Sequence, residues 1–481
     1  MVVRRDHKNI VEGEGLGRKS HFKLEIPKPW TKFTNEMTLI WERLKGQAVA
    51  LLRNRPTLQG LPFWISALVV GLVATGYAEA FLETDRFLYR ILETNPLAIW
   101  WLSPLCFVLG WLIIYFISRG AGGSGIPQVL AVFQLQDRSK CSHSIRKILG
   151  ARVWISKIAS SLLCCLGGGA MANEGPTIQI ASGISLSIGR RFQRIWPQLQ
   201  SDFFIVAGAG AGVAAAFNTP LGGIVYSIEE FSSLHLHRFK TVLLAAVIIS
   251  GLIAQWLVGS YLYLGFPRIE PLTSSTYPWI ILLSLIGGWW GALMGDIVVR
   301  VSNWRERRLK KMWPQIFVAL FMGLLIAALY TYFDKGVIGA GRRVVVDMLF
   351  TSNEPASLSL LLSRFIGPIV SHISGCAGGF FAPALAAGGS LGGYFGSLVD
   401  PVHSNLYILL GMIAFMSGMT HLPFTSFVLV LEMTDRHSAI FPMMLAAILA
   451  QASSRLVHPK NLYERLKPRF FTALKKDPQY G

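Results

Sequence analysis

This sequence predicts an all-α, polytopic membrane protein assembled from two homologous halves. Three observations predict it: an apolar composition, apolar runs of membrane-crossing length, and a long segment that repeats with its glycines, prolines and acids in register. Of 481 residues, 52% are hydrophobic and only 15% charged, with mean hydropathy +0.47. A soluble domain carries about a quarter charged residues.

Residues 1–60 hold twelve Lys/Arg and lack the apolar core of a cleavable signal, so they are predicted to form a partly helical cytoplasmic segment. Apolar runs follow at 62–81, 98–118, 153–172, 241–264, 276–298, 314–333, 357–371, 405–420 and 438–453. Several reach the roughly 20 residues a bilayer crossing needs, and lipid tolerates a bundle of helices because their backbone is satisfied internally. Two further stretches, 203–217 and 422–433, are short and interrupted by Gly or Pro. They are expected to stop inside the membrane, a pattern that points to a binding site.

The link 303–313 holds five Lys/Arg and the tail from Arg455 to Lys476 seven. The positive-inside rule places both, with the N-terminal segment, in the cytoplasm, which implies an even number of crossings. The expected organisation is a cytoplasmic segment 1–60, a first transmembrane half 61–264, a second half 265–457 and a short cytoplasmic tail 458–481. Because the net charge of +19 sits in ends and links, its expected partner is the anionic headgroup layer of the bilayer and not nucleic acid. Cys106, Cys141, Cys164, Cys165 and Cys376 lack metal-ligand spacing and mostly lie in apolar runs, as small buried side chains would. His235 and His237, in "HLHR", have too few neighbours of their kind for a metal site.

The repeat is the strongest organisational signal. "GAGAGVAAAFNTPLGGIVYSIEE" (208–230) lies on "GMIAFMSGMTHLPFTSFVLVLEM" (411–433) without a gap, at an offset of 203, matching Gly208 to Gly411, Pro220 to Pro423 and Glu229 to Glu432. "ANEGPTIQIASG" (172–183) resembles "GFFAPALAAGGS" (379–390) at an offset of 207, so a small insertion separates the halves. Repeat transporters hold their site between such halves.

Within "GGGAMANEGPTIQIASG" (167–183), an acid stands in a glycine-rich, otherwise uncharged stretch. Glu-Gly-Pro before an apolar run is a helix start, with Pro176 in the first turn where its missing N–H costs nothing. The unpaired amides there, at the positive end of a helix, favour an anion. Glu174 can be that anion or yield its place to a dissolved one. A capping acid would suffice in a soluble helix, but at membrane depth an ionisable residue is functional by default. "GGSGIP" (122–127) and "GGFFAP" (378–383) are helix starts of the same kind. Together the three suggest one anion site lined by amides and hydroxyls, with Ser124 open to two readings, ligand or plain N-cap. Tyr463 in "KNLYERL" is, by position alone, an interfacial aromatic.

"GSGIP" at 123–127, "EGP" at 174–176 and "GFFAP" at 379–383, in that order, with "AAAFNTPLGGIVYSIEE" and "VLVLEMTD", resemble the CLC family of chloride channels and proton/chloride exchangers, from about residue 60 to 470. The resemblance implies a homodimer with one pore per subunit, each built from two inverted halves of tilted, broken helices. It assigns chloride binding to Ser124, Gly125, Tyr463 and the amides of Phe380 and Phe381. Glu174 becomes the external gate and proton acceptor, and Glu230 the internal proton-transfer acid. On the residues alone, Glu230 is equally a pairing acid beside "HRFK" (237–240). Adjacent Glu229 and Glu230 face different sides of a helix, so only one should see the pathway.

Channel members commonly lack the internal glutamate, so its presence implies an antiporter moving chloride against protons; the alternative is a passive chloride channel. Serine in "GSGIP" resembles the chloride-handling type. The tail after Val457 is short for paired nucleotide-sensing domains, and a chain of this type suggests a prokaryotic inner membrane. Two departures stand out: Asn173 where the family usually has Arg or Lys, and Gln128, Val129 and Leu130 where acids usually follow the serine motif. No cofactor is implied. No nucleophile–base pair, metal spacing or phosphate loop supports an enzyme.

Overall fold

The computed structural model describes Met37 and residues 60–135, 142–231, 240–259, 262–351 and 356–475. The predicted N-terminal segment, His235 and His237, the "HRFK" neighbourhood and Cys141 fall outside these residues, apart from Met37, Gly60 and the backbone of Lys240. The described residues of the unit Thr57–Gly481 form an all-helical array, and the protein is a multi-pass integral membrane protein. Among the described residues, seven helical stretches are long and apolar enough to cross a bilayer.

The first half contributes α1 (Leu61–Thr94), α2 (Ile99–Phe116), α3 (Ile126–Phe133), α4 (Ser142–Leu149), α5 (Ala151–Leu166), α6 (Glu174–Phe192), α7 (Ser201–Phe217), α8 (Pro220–Glu230) and α9 (Lys240–Val258). The second contributes α10 (Tyr277–Arg308), α11 (Met312–Tyr332), α12 (Arg342–Phe350), α13 (Leu358–Ser374), α14 (Phe381–Val399), α15 (Ser404–Thr420), α16 (Pro423–Thr434), α17 (Ile440–Ser454) and, closing the chain, α18 (Leu462–Lys475). The first apolar run proves to be only the start of a helix: α1 continues past residue 81 to Thr94 and takes in Glu83, Asp85 and Arg86. A backbone bonded to itself crosses charged stretches that an apolar window excludes. The stretches 203–217 and 422–433 form the short helices α7 and α16.

The two repeats are visible as matched elements. α6 and α14 both have 19 residues and α7 and α15 both have 17. The inferred insertion lies in the link 193–200, which is 400–403 in the second half. Asn218 and His421 both adopt left-handed backbone, φ +55, at the ends of α7 and α15. Pro220 and Pro423 then open α8 and α16 at the first helical position, which needs no N–H.

Reciprocal bonds join the halves. The amides of Leu221 and Gly222 donate to Glu432 at 3.1 and 2.8 Å, and those of Phe424 and Thr425 donate to Glu229 at 3.1 and 2.7 Å. Each acid therefore caps the opposite half's short helix, satisfying amides that would otherwise face hydrocarbon. A single antiparallel bridge pairs Ala172 with Gly379, in both directions, at 3.1 and 2.6 Å. Small residues let the helices close: a Cβ on Gly208 would run into Ala181 of α6, and one on Gly411 into Gly388 of α14.

Candidate functional site

The helix starts singled out in the sequence meet. Gly123 pairs with Ala377 in a parallel bridge, and the Ser124 hydroxyl lies so near Gly175 that a Cβ there would come within 2.6 Å of it. The first turns of α3, α6 and α14 thus abut, and α18 packs against α3. Backbone geometry makes this approach feasible. Gly123 and Gly125 have φ +70 and +112, which a side chain rarely tolerates.

Ser124 is 3% exposed and its Oγ has no hydrogen-bond partner among the described residues. It is not the N-cap of α3; Gly125 is, so the capping alternative does not hold. The Gly125 amide donates to Gln128 Oε1 at 3.1 Å, and Gln128 Nε2 donates to the Gly122 carbonyl at 2.7 Å. Gln128, one of the sequence departures, thus ties the start of α3 together. Glu174 is the first residue of α6 and 1% exposed. Its carboxyl lies against its own amide and that of Ala382 at the start of α14, while Oε2 is buried without a partner. An acid among the amides of two helix starts occupies the place of an anion. Asn173 precedes it as N-cap, its carbonyl accepting from Thr177 N–H and Oγ1 at 2.8 Å each.

Phe380 and Phe381 are the N-cap and first residue of α14, both buried. Tyr463, near the start of α18, is fully buried rather than interfacial; its ring centre is 6.0 Å from that of Phe381 and its hydroxyl lies beside that of Ser124. Glu230 ends α8, with Oε2 buried and unpartnered, whereas neighbouring Glu229 is committed to capping α16.

Sequence reasoning passed over three groups. Tyr226 is buried with a bare hydroxyl, its ring 5.9 Å from that of Phe381. Lys157 and Arg364 are both 0% exposed. Lys157 Nζ donates to the carbonyls of Ala121 and Gly123 at 2.9 and 2.7 Å, and Arg364 to those of Gly339 and Ile338 at 2.9 and 2.6 Å. Each is a lone Lys or Arg within an apolar run, a signal that was available. Cys106, Cys164, Cys165 and Cys376 are free and buried as expected.

The chain matches the model of the voltage gated chloride channel family over residues 105–455. It is 27% identical over 448 residues to an H(+)/Cl(-) exchange transporter, ClcA, of Klebsiella pneumoniae, covering 88% of this chain and 92% of the relative. Against the ClcA of Vibrio vulnificus it is 26% identical over 439 residues, covering 84% and 89%. Among solved structures it resembles a slow cyanobacterial Cl-/H+ antiporter, TM-score 0.73 at 22% identity, covering 86% of this chain and 98% of the other. A CLC-type fluoride/proton antiporter follows at TM-score 0.70 and 19% identity, covering 85% and 98%.

Proposed function

Since the chain belongs to the voltage-gated chloride channel (CLC) family and is an anion transporter of that family, we propose that it is an antiporter exchanging chloride for protons. The observation that carries this is the meeting of Ser124, Tyr463 and Glu174 at three helix starts, each with a buried oxygen lacking a partner. A dehydrated chloride needs donors, and two hydroxyls with the amides of Phe380 and Phe381 supply them without a formal positive charge that would hold the ion too tightly. Glu174, whose carboxyl lies against its own amide and that of Ala382, competes with the anion for the same helix start. When it takes a proton that claim weakens and the anion passes, so one group links both ions. Glu230 is the second acid of the reading: it reaches protons from the opposite end.

The ClcA relatives are named exchangers, and this chain keeps both acids. The same reading gives a homodimer with one pore per subunit, in a prokaryotic inner membrane, with residues 1–60 and the tail 458–481 in the cytoplasm. The test is reconstitution: impose a chloride gradient across liposomes and follow external pH. Uphill proton movement supports exchange; chloride flux with no proton movement establishes the passive channel instead.

A further inference from the structure

A cavity of about 220 Å³ opens beside Ser124, and Glu174 does not line it. Four cations do: Arg119, Arg305, Lys310 and Arg469, with no Asp or Glu among its described lining residues. Arg305 is held deep in the wall. Its guanidinium lies over Gly375, where φ is +86 and any Cβ would collide with it. Among the described residues its Nε is buried without a partner, and the hydrogen bond from its guanidinium to Gln315 Oε1 is long at 3.4 Å. His372 uses Nε2 on Ser302 Oγ at 2.8 Å and leaves Nδ1 buried and bare. Glu306, outside the lining, pairs with Arg469, its Oε2 3.0 Å from Arg469 Nε. Arg119 stacks over the Tyr115 ring at 4.7 Å.

This chamber holds more positive charge than one chloride can balance, and Arg305, set deep in its wall, has no carboxylate partner among the described residues, the pairing that a buried cation ordinarily requires. Guanidinium forks match oxygen pairs on a planar or tetrahedral oxyanion far better than they match a sphere. We infer that the chamber is a binding site for a multivalent oxyanion of the phosphate type, which when bound closes the approach to Ser124 and slows chloride passage. The blocking step rests on the proposed anion route past Ser124; the binding step does not.

Inorganic phosphate is the probe. Titrated calorimetrically into the purified full chain in detergent micelles, it should bind saturably, and Arg305→Gln should weaken it about tenfold, the loss of one charge-assisted contact. Arg469→Gln, nearer the chain end, gives a second reading if Arg305→Gln folds poorly. Phosphate inside and outside liposomes should slow chloride flux in the native protein and less so in the variants. Phosphatidate in nanodiscs displaces the ion if a lipid headgroup is its source and leaves it bound if the free anion is; either keeps the site. Absent saturable binding, or equal binding by native and variants, overturns the site. Variant-sensitive binding that leaves chloride flux unchanged overturns the block. Proton/chloride exchange measured without phosphate tests the transport reading by itself.

Discussion

The two halves share a backbone and differ at the side chains that meet in the middle. Where they agree, the shared feature holds the fold. Glu229 and Glu432 cap each other's helices, Lys157 and Arg364 each tie down a glycine loop, and Gly123 and Gly125 have counterparts in Gly339 and Gly341, with φ +70 and +99. At three of the positions where they disagree, the odd residue stands at the proposed anion site or near it. Ser124 faces Ala340 in the comparison, Glu174 faces Phe381, and Glu230 faces Met433. Paired acids are architecture. Unpaired acids are free to titrate, which separates Glu230 from Glu229 on physical grounds independent of family.

That contrast can be broken at its sharpest point first. Glu174→Gln should cut proton movement about 100-fold or more, the scale of losing a positioned proton carrier, while chloride continues to flow. Parallel chloride and pH electrodes on liposomes read both, and sustained proton pumping would remove Glu174 from the mechanism. Glu230→Gln should reproduce the proton defect with the chloride path open, whereas Glu229→Gln should retain coupling in whatever protein folds; a reversed pattern would defeat the symmetry argument.

The symmetric acids predict a loss at both. Glu229→Gln and Glu432→Gln each weaken charge-assisted bonds to two helix-start amides, costing about 1–3 kcal/mol, and thermal unfolding in detergent should show drops on that scale for both, the larger for Glu229, which also accepts from Thr425 Oγ1 at 2.7 Å. A drop in only one would mean that the other cap does not hold its helix. At the smallest scale, Ser124→Ala should weaken chloride binding about tenfold, near the value of one hydrogen bond to an ion. Its counterpart change, Ala340→Ser, should leave chloride binding as it was. Calorimetric titration of chloride decides between them.

Much of this plan was legible in the sequence because its signals are local. Apolar runs reported solvent and helix, the gapless 203-residue offset reported two halves, and Gly-Pro chemistry around Ser124, Glu174 and Phe381 reported helix starts. These follow from backbone geometry and composition, which each stretch carries by itself. Only the tertiary structure decided what those starts do together. It brought three of them to one point, sent Glu229 to cap a helix 195 residues away and left Glu230 uncommitted. It also buried Tyr463 against Phe381, and ringed a cavity with cations drawn from α10, α18 and the links beside α2 and α11. A hydrogen bond or a shared cavity between distant residues leaves no period in the chain. The partners are chosen by how the helices pack, and neither neighbour in "SIEE" reveals which one turns toward the other half until the helix is docked.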